Sequence, residues 1–151
     1  MNGQLTRANL YKIIDIPEES YFGDFLSHFK DLSQFKYILV IQSLSIKCMK
    51  LSIYPLQDKN VIKVILYQKE SLRGDRSISE AEIARIINKL NKVKIIHTSG
   101  LLMKKGKPIF EAYLNINLSK IHNSIIQNVD QFINSLNLKI SFEKIKLMKE
   151  V

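Results

Sequence analysis

Residues 93–118, VKIIHTSGLLMKKGKPIFEAYLNINL, contain two runs of apolar and β-branched residues on either side of a short segment rich in lysine. Such residues are enriched in strands, and a short connection that includes a glycine is typical of a β-hairpin. We therefore predict a strand over 93–103, a hairpin tip at 104–108 and a return strand over 109–118. Because short connections join antiparallel strands, the stretch predicts an antiparallel sheet.

The return strand alternates apolar and polar residues, a pattern typical of a strand with one face on the core and one in solvent. The residues predicted to face the core are Phe110, Ala112, Leu114, Ile116 and Leu118, and those predicted to face outward are Glu111, Tyr113, Asn115 and Asn117. Two interpretations remain open for Tyr113 and for Tyr54 or Tyr67 nearby. They could stack unpaired bases at the surface, or lie under a helix as part of the core.

Outward from the hairpin, three segments have the apolar spacing of amphipathic helices. The first starts at Pro17 and places its aromatic and aliphatic residues from Tyr21 to Leu32 on one face. The second begins with the capping pattern at Ser77 and ends near residue 92. The third spans residues 119–137 and is predicted to bury Ile125, Val129 and Ile133.

The remaining segments predict strands. Residues 37–54 indicate either two tightly joined strands that break near Gln42 and Ser43 or one long bent strand, followed by a turn at 55–60. Residues 61–68 form a dense apolar strand and residues 138–148 a final one, whereas residues 2–16 have no clear period. The predicted order is α-β-β-β-α-β-β-α-β, a single compact α+β domain over residues 1–151 with a mainly antiparallel sheet packed by amphipathic helices.

Length and composition agree with one globular domain, since the chain has 151 residues, of which 46% are hydrophobic and 25% charged. The longest apolar run without charge, residues 37–46, is shorter than the roughly 20 residues that cross a bilayer. The first residues lack the pattern of a secretory signal. We therefore predict a cytoplasmic protein that does not enter a membrane.

The net charge of +9 is the strongest functional indication, because a surplus of this size attracts polyanions. Nineteen of the 23 basic residues are lysine, which equally suggests a composition bias set by codon usage. The predicted nucleic-acid-binding residues are Lys104, Lys105 and Lys107 at the hairpin tip, Lys92 and Lys94 at the other end of the same ladder, and Arg73 and Arg76 in the preceding loop. The alternative is a solvated turn whose lysines block edge aggregation.

No residue set in the sequence predicts catalysis. His28, His97 and His122 lack the short spacing of shared metal ligands. Cys48, between Lys47 and Lys50, is predicted to be a small buried apolar residue. Paired acids occur only at helix starts, and no phosphate-binding or dinucleotide fingerprint is present. We predict a protein that is not an enzyme and that requires no metal or other cofactor.

Two classes of function remain. In the first, this is a small basic accessory protein that binds RNA, DNA or a nucleoprotein assembly through the lysine-rich hairpin, largely without regard to sequence. In the second, it is a protein-interaction adaptor or chaperone-like module that docks a protein partner through a sheet face or the helix at 119–137. In that case the basic charge reflects a composition bias set by codon usage and has no role in binding.

Overall fold

The computed structural model describes residues 5–44, 47–68, 95–99, 102–104, 107–115 and 138–148. These residues form two antiparallel sheets, which belong to two compact units. Unit 1 comprises Met1–Lys59 and Ile145–Val151, and unit 2 comprises Asn60–Lys144. The helices predicted at 77–92 and 119–137, with Ile125, Val129 and Ile133, lie outside the described residues. The single domain stays a prediction.

Unit 1 is built on a three-stranded antiparallel sheet with strand order β1-β2-β3. The strands are β1 (Thr6–Lys12), β2 (Tyr37–Leu44) and β3 (Met49–Leu56). Between β1 and β2 the chain forms a 3-10 turn at Ile13–Asp15, helix α1 (Tyr21–Ser27) and a second 3-10 turn at Leu32–Gln34. The structure is therefore mostly antiparallel sheet, with one α-helix in the described residues.

The predicted element order is wrong at its start, because β1 precedes α1. β1 pairs with β2 along its whole length, from Thr6 opposite Ser43 to Lys12 opposite Tyr37. Thr6 and Leu10 are buried, although residues 2–16 as a whole have no clear period and Thr6 is polar. Tertiary pairing, and not a period of two in the sequence, therefore stabilises this strand.

Helix α1 is shorter than the predicted one at both ends. Its N-cap is Ser20, whose hydroxyl oxygen accepts a hydrogen bond from the amide of Gly23 at 2.9 Å, so Pro17 lies outside the helix. The helix ends at Ser27, and Asp31 then adopts a left-handed conformation with φ of 63°. This residue helps to reverse the chain toward β2.

The aromatic face predicted for α1 lies only partly in the core. The core of unit 1 contains Ile16, Leu26 and Ile38, with Phe22 and Leu32 packed against them. Tyr21, Phe25 and Phe29 are exposed. Phe22 and Leu26 are four positions apart and share the side of α1 that meets the core, whereas Tyr21 and Phe25 each precede one of them and lie about 100° around the helix. Phe29 follows the end of the helix.

The segment over 37–54 contains two strands, but the break falls after Leu44 and not at Gln42 and Ser43. Both of these polar residues pair with β3, opposite Leu51 and Lys50. β3 also continues through Pro55 to Leu56, so the predicted turn at 55–60 begins later than expected. Polar residues are compatible with a strand when their side chains are half-buried, as here.

Unit 2 contains a five-stranded sheet in which β7 and β4 are the central strands, with strand order β5-β7-β4-β8 and β6 also paired with β7. The strands are β4 (Val61–Gln68), β5 (Ile95–Thr98), β6 (Leu102–Lys104), β7 (Lys107–Asn115) and β8 (Leu138–Lys144). The predicted strand at 61–68 and the antiparallel pairing of the predicted hairpin are confirmed. The tip predicted over 104–108 is too long, because Lys104 belongs to β6 and β7 begins at Lys107. The strand predicted over 138–148 ends at Lys144.

The strand predicted over 93–103 consists of two short strands, β5 and β6, which follow one another along one edge of β7. Ser99 lies after β5 and holds the chain to β7 by two hydrogen bonds. Its amide donates to the carbonyl oxygen of Glu111 at 2.8 Å, and its hydroxyl oxygen accepts from the amide of Glu111 at 2.9 Å. The hydroxyl oxygen of Ser99 thus takes the place of a backbone carbonyl oxygen in the hydrogen-bond ladder. The pattern of apolar residues in the sequence does not reveal such a bond.

β5 contains a bulge. Ile95 pairs with Leu114, but His97 pairs with Tyr113, so one extra residue is accommodated between them. Without the bulge, Tyr113 would face Ile96. A bulge redirects the side chains that follow it, and here it places His97 on the same face of the sheet as Tyr113. Their ring centroids are 6.2 Å apart.

Both faces of the central strands of unit 2 are buried. Val64, Leu66, Phe110 and Leu114 on one face have almost no exposed surface, as expected. The opposite face was predicted to be solvated, yet Glu111 and Tyr113 are fully buried. The prediction of a half-buried strand is therefore wrong for these residues. Central strands of a covered sheet bury both faces, and a polar residue can occupy such a position when it finds a partner.

The chain returns to unit 1 at its end. After β8, Leu147 forms a parallel bridge with Leu10 of β1, and the amide of Met148 donates to the carbonyl oxygen of Leu10 at 2.8 Å. Ile145 is buried in this segment. Unit 1 thus consists of two pieces of chain between which unit 2 is inserted.

Candidate functional site

The lysine-rich hairpin is positioned by β6 and β7. Lys104 and Lys107 are the last register partners of this pair. Opposed residues of an antiparallel pair have Cα atoms within about 5.5 Å of each other, so two of the predicted binding residues lie side by side. Lys105, Lys92, Lys94, Arg73 and Arg76 lie outside the described residues.

The charge of the protein is distributed unequally between the two units. The residues of unit 2 include fourteen lysines and arginines and seven acids, a net charge of +7, and those of unit 1 include nine and seven, a net charge of +2. The hairpin therefore belongs to the strongly basic part of the chain. A surplus confined in this way produces a stronger local field than the same charge spread over the whole surface.

A second cluster lies on the polar face of the unit 2 sheet. His97, Tyr113, Lys63 and Glu143 are successive register partners across β5, β7, β4 and β8. The Nζ atom of Lys63 lies 3.2 Å from Oε1 of Glu111, and the two side chains are 2% and 0% exposed. The same Nζ atom lies 5.6 Å from the centroid of the Tyr113 ring. The centre of the face is thus a buried ion pair beside an aromatic ring.

This buried pair suits a structural role better than a chemical one. Both groups are closed to solvent, so no dissolved substrate reaches them in this conformation. Desolvation offsets most of the attraction between buried charges, but a pair that spans two strands penalises any other register. The signal for this pair in the sequence is a lysine and a glutamate within two strands that are otherwise strongly apolar. The strand pairing that brings them together cannot be deduced from that signal.

The tyrosines differ in their accessibility. Tyr113 is fully buried, so it is not a surface on which bases stack, and the interpretation that places it in the core is the correct one. Tyr54 and Tyr67 are half-buried. Asn115 is half-buried at the end of β7, and Asn117 lies outside the described residues.

Cys48 and the histidines do not form a common site in the described part of the chain. Cys48 is exposed, which corrects the prediction of a buried thiol, because it lies in the connection between β2 and β3 and not within a strand. His28 is the exposed C-cap of α1, His97 lies on β5, and His122 is not among the described residues. Within the described ranges, no group of three or more His, Cys, Asp or Glu side chains is placed to hold a metal ion.

Unit 1 carries an apolar groove that the sequence pattern does not indicate. Phe25 and Phe29 form one wall, Leu51, Ile53 and Pro55 of β3 form the other, and Ile38 lies at the floor. The volume of the groove is about 260 Å³. Phe25 and Phe29 are 57% and 50% exposed, and Leu51 is also exposed. A helix pattern predicts which residues are apolar, but not that the helix ends early and leaves some of them uncovered.

Among the described residues, no helix is both long and apolar enough to cross a membrane. No protein-family model matches the chain, and no curated protein matches it in sequence.

Proposed function

We propose that this protein is a small basic accessory protein that binds RNA, DNA or a nucleoprotein assembly through the β6–β7 hairpin, without catalysing a reaction. The observation that carries this proposal is the concentration of positive charge in unit 2, whose hairpin ends in the register pair Lys104 and Lys107. Lysine provides charge without the bidentate geometry by which arginine reads bases. Binding is therefore expected to depend on phosphates and to be nearly independent of sequence.

Replacement of Lys104, Lys105 and Lys107 by Ala tests the proposal. Each phosphate contact releases close to one condensed counterion, so the slope of log affinity against log salt should fall by about 2 to 3 units. The slope is measured by fluorescence anisotropy with a short mixed-sequence RNA and with a DNA duplex. The sequence predicts a solvated turn at the tip, so the folded state should be nearly as stable as that of the wild type.

A matched control separates hairpin contacts from the general effect of charge. Lys12, Lys36 and Lys50 of unit 1 are exposed, and their replacement by Ala removes the same three charges. This control should leave the slope nearly unchanged. An equal decrease in the salt-dependence slope of both triple variants would contradict a role for the hairpin. A wild type that binds neither nucleic acid at low salt would overturn the proposed function itself.

A second function, that of a protein-interaction adaptor, is favoured by the apolar groove of unit 1. Large exposed aromatic side chains around a concave apolar surface are typical of interaction sites. The two functions do not exclude each other, because the groove and the hairpin belong to different units. Capture of RNA by the hairpin variants and binding of peptides by groove variants can be measured independently.

A further inference from the structure

The groove of unit 1 has room for a few apolar side chains. Its volume of about 260 Å³ is below the lower end, about 300 Å³, of pockets that enclose drug-sized ligands. It is open along the side chains of Phe25, Phe29 and Leu51, which are 57%, 50% and 54% exposed. A few apolar side chains of an extended or helical partner would fill it and cover these rings.

Charge on the α1 side of the groove indicates the chemistry of the partner. Residues 15–31, which include α1, contain five acids and a single lysine, a net charge of −4 within a chain of net charge +9. All five acids are exposed: Asp15, Glu18, Glu19, Asp24 and Asp31. Asp24 adjoins Phe25 and Asp31 adjoins Leu32, while the basic neighbours of the lining residues are Lys30 beside Phe29 and Lys50 beside Leu51 on β3. An acidic surface beside an apolar groove attracts a cationic partner and repels nucleic acid and anionic lipid.

We propose that this groove binds a cationic amphipathic helix of a partner protein. Apolar residues at positions i, i+3, i+4 and i+7 of the partner enter the groove between Phe25, Phe29 and β3, as helices do in other apolar grooves. Basic residues on the flanks of the partner helix face Asp24 and Asp31. The proposal rests on the adaptor function of unit 1 and is independent of nucleic-acid binding by unit 2.

The test uses the full chain and a labelled synthetic peptide of leucine and lysine with helical apolar spacing. Two control peptides are a scrambled sequence of the same composition and a version with glutamate in place of every lysine. Fluorescence anisotropy should show binding of the cationic helix, with weaker binding of both controls. Phe25→Ala should weaken it by about tenfold or more, as expected for an aromatic anchor at the centre of a contact.

Further variants separate the groove from its surroundings. Ile14→Ala is the matched control, because Ile14 is 81% exposed in the same unit but does not line the groove, and it should leave affinity unchanged. Asp24→Asn with Asp31→Asn should weaken binding about three- to tenfold and reduce its dependence on salt. The triple hairpin variant should bind the peptide as well as the wild type, so failure of one proposal does not imply failure of the other.

The proposal is overturned by any of three results. The scrambled peptide could bind as well as the helix, the glutamate peptide could bind better, or Phe25→Ala could leave affinity unchanged. Self-association of the wild type in sedimentation, abolished by Phe25→Ala, would also overturn it, because the groove would then bind a second copy of this chain.

Discussion

Lys63 and Glu111 form an ion pair in a place where sequence patterns predict an apolar core on one side and solvent on the other. Loss of one partner leaves the other charge buried without it, so Lys63→Met and Glu111→Leu should each destabilise the protein by about 3 to 5 kcal/mol. The double variant should be much less destabilised than the sum, because it buries no charge. Urea unfolding of the three variants gives the coupling free energy.

Additive losses in that double-mutant cycle would mean that the two side chains act independently, despite the distance of 3.2 Å between Nζ and Oε1. A reduced loss in the double variant would support a role in register. In that case the pair excludes other alignments of β4 and β7 more than it adds to stability.

Gly23 illustrates a residue whose role depends on a close approach of the backbone. A Cβ atom at this position would overlap the carbonyl oxygen of Pro17. Alanine normally stabilises a helix by up to about 1 kcal/mol relative to glycine, but here the clash involves backbone that cannot rotate away. We expect Gly23→Ala to destabilise the protein by about 1 to 3 kcal/mol, measured by chemical denaturation.

The control for this variant is Ser27→Ala, at an exposed position of the same helix. It retains the backbone geometry and removes only a hydrogen bond from the hydroxyl to the carbonyl oxygen of Asp24. Its effect should therefore be small. A gain in stability from Gly23→Ala would mean that the segment around Pro17 moves away without cost.

Among the secondary-structure elements, those with strong local signals agree best with prediction. The strand at Val61–Gln68 has the predicted bounds, because its apolar residues are dense, with Lys63 as the one charged residue among them, and turn residues precede it. The antiparallel pairing of the hairpin is also correct, since glycine and lysines interrupt two strand-forming runs, but its strands continue into the predicted tip at Lys104 and Lys107. β1 could not be predicted, because its stability comes from pairing with β2 and residues 2–16 as a whole have no clear period.

The ends of elements follow from contacts that the sequence does not reveal. Ser99 interrupts a strand by bonding to Glu111, twelve residues away, and α1 ends at Ser27, before the chain turns at Asp31. The same limit applies to the candidate sites. The lysines of the hairpin could be selected from composition and turn chemistry, whereas the groove depends on which apolar residues the short helix leaves uncovered. Which apolar residues stay exposed is determined by tertiary packing and cannot be deduced from the spacing of apolar residues in the sequence.

The whole molecule is predicted to unfold in one cooperative transition. The chain crosses between the units at residues 59–60 and again at 144–145, and no glycine- or proline-rich segment separates them at either place. For a chain of this length, all-or-none unfolding is the usual behaviour. Urea unfolding followed by circular dichroism and by tyrosine fluorescence should give coincident midpoints. Two separated transitions would show that the units are independent domains.

The return of the chain from β8 to β1 also has a consequence for biosynthesis. A ribosome makes residues 145–148 only after all of unit 2, so nascent β1 lacks the backbone of Leu147 and Met148 until unit 2 has been made. Unit 2 is a continuous stretch and needs no later residue to complete its sheet. A premature stop codon after Lys144 would therefore leave the sheet of unit 2 complete and deprive β1 of its contact with Leu147 and Met148.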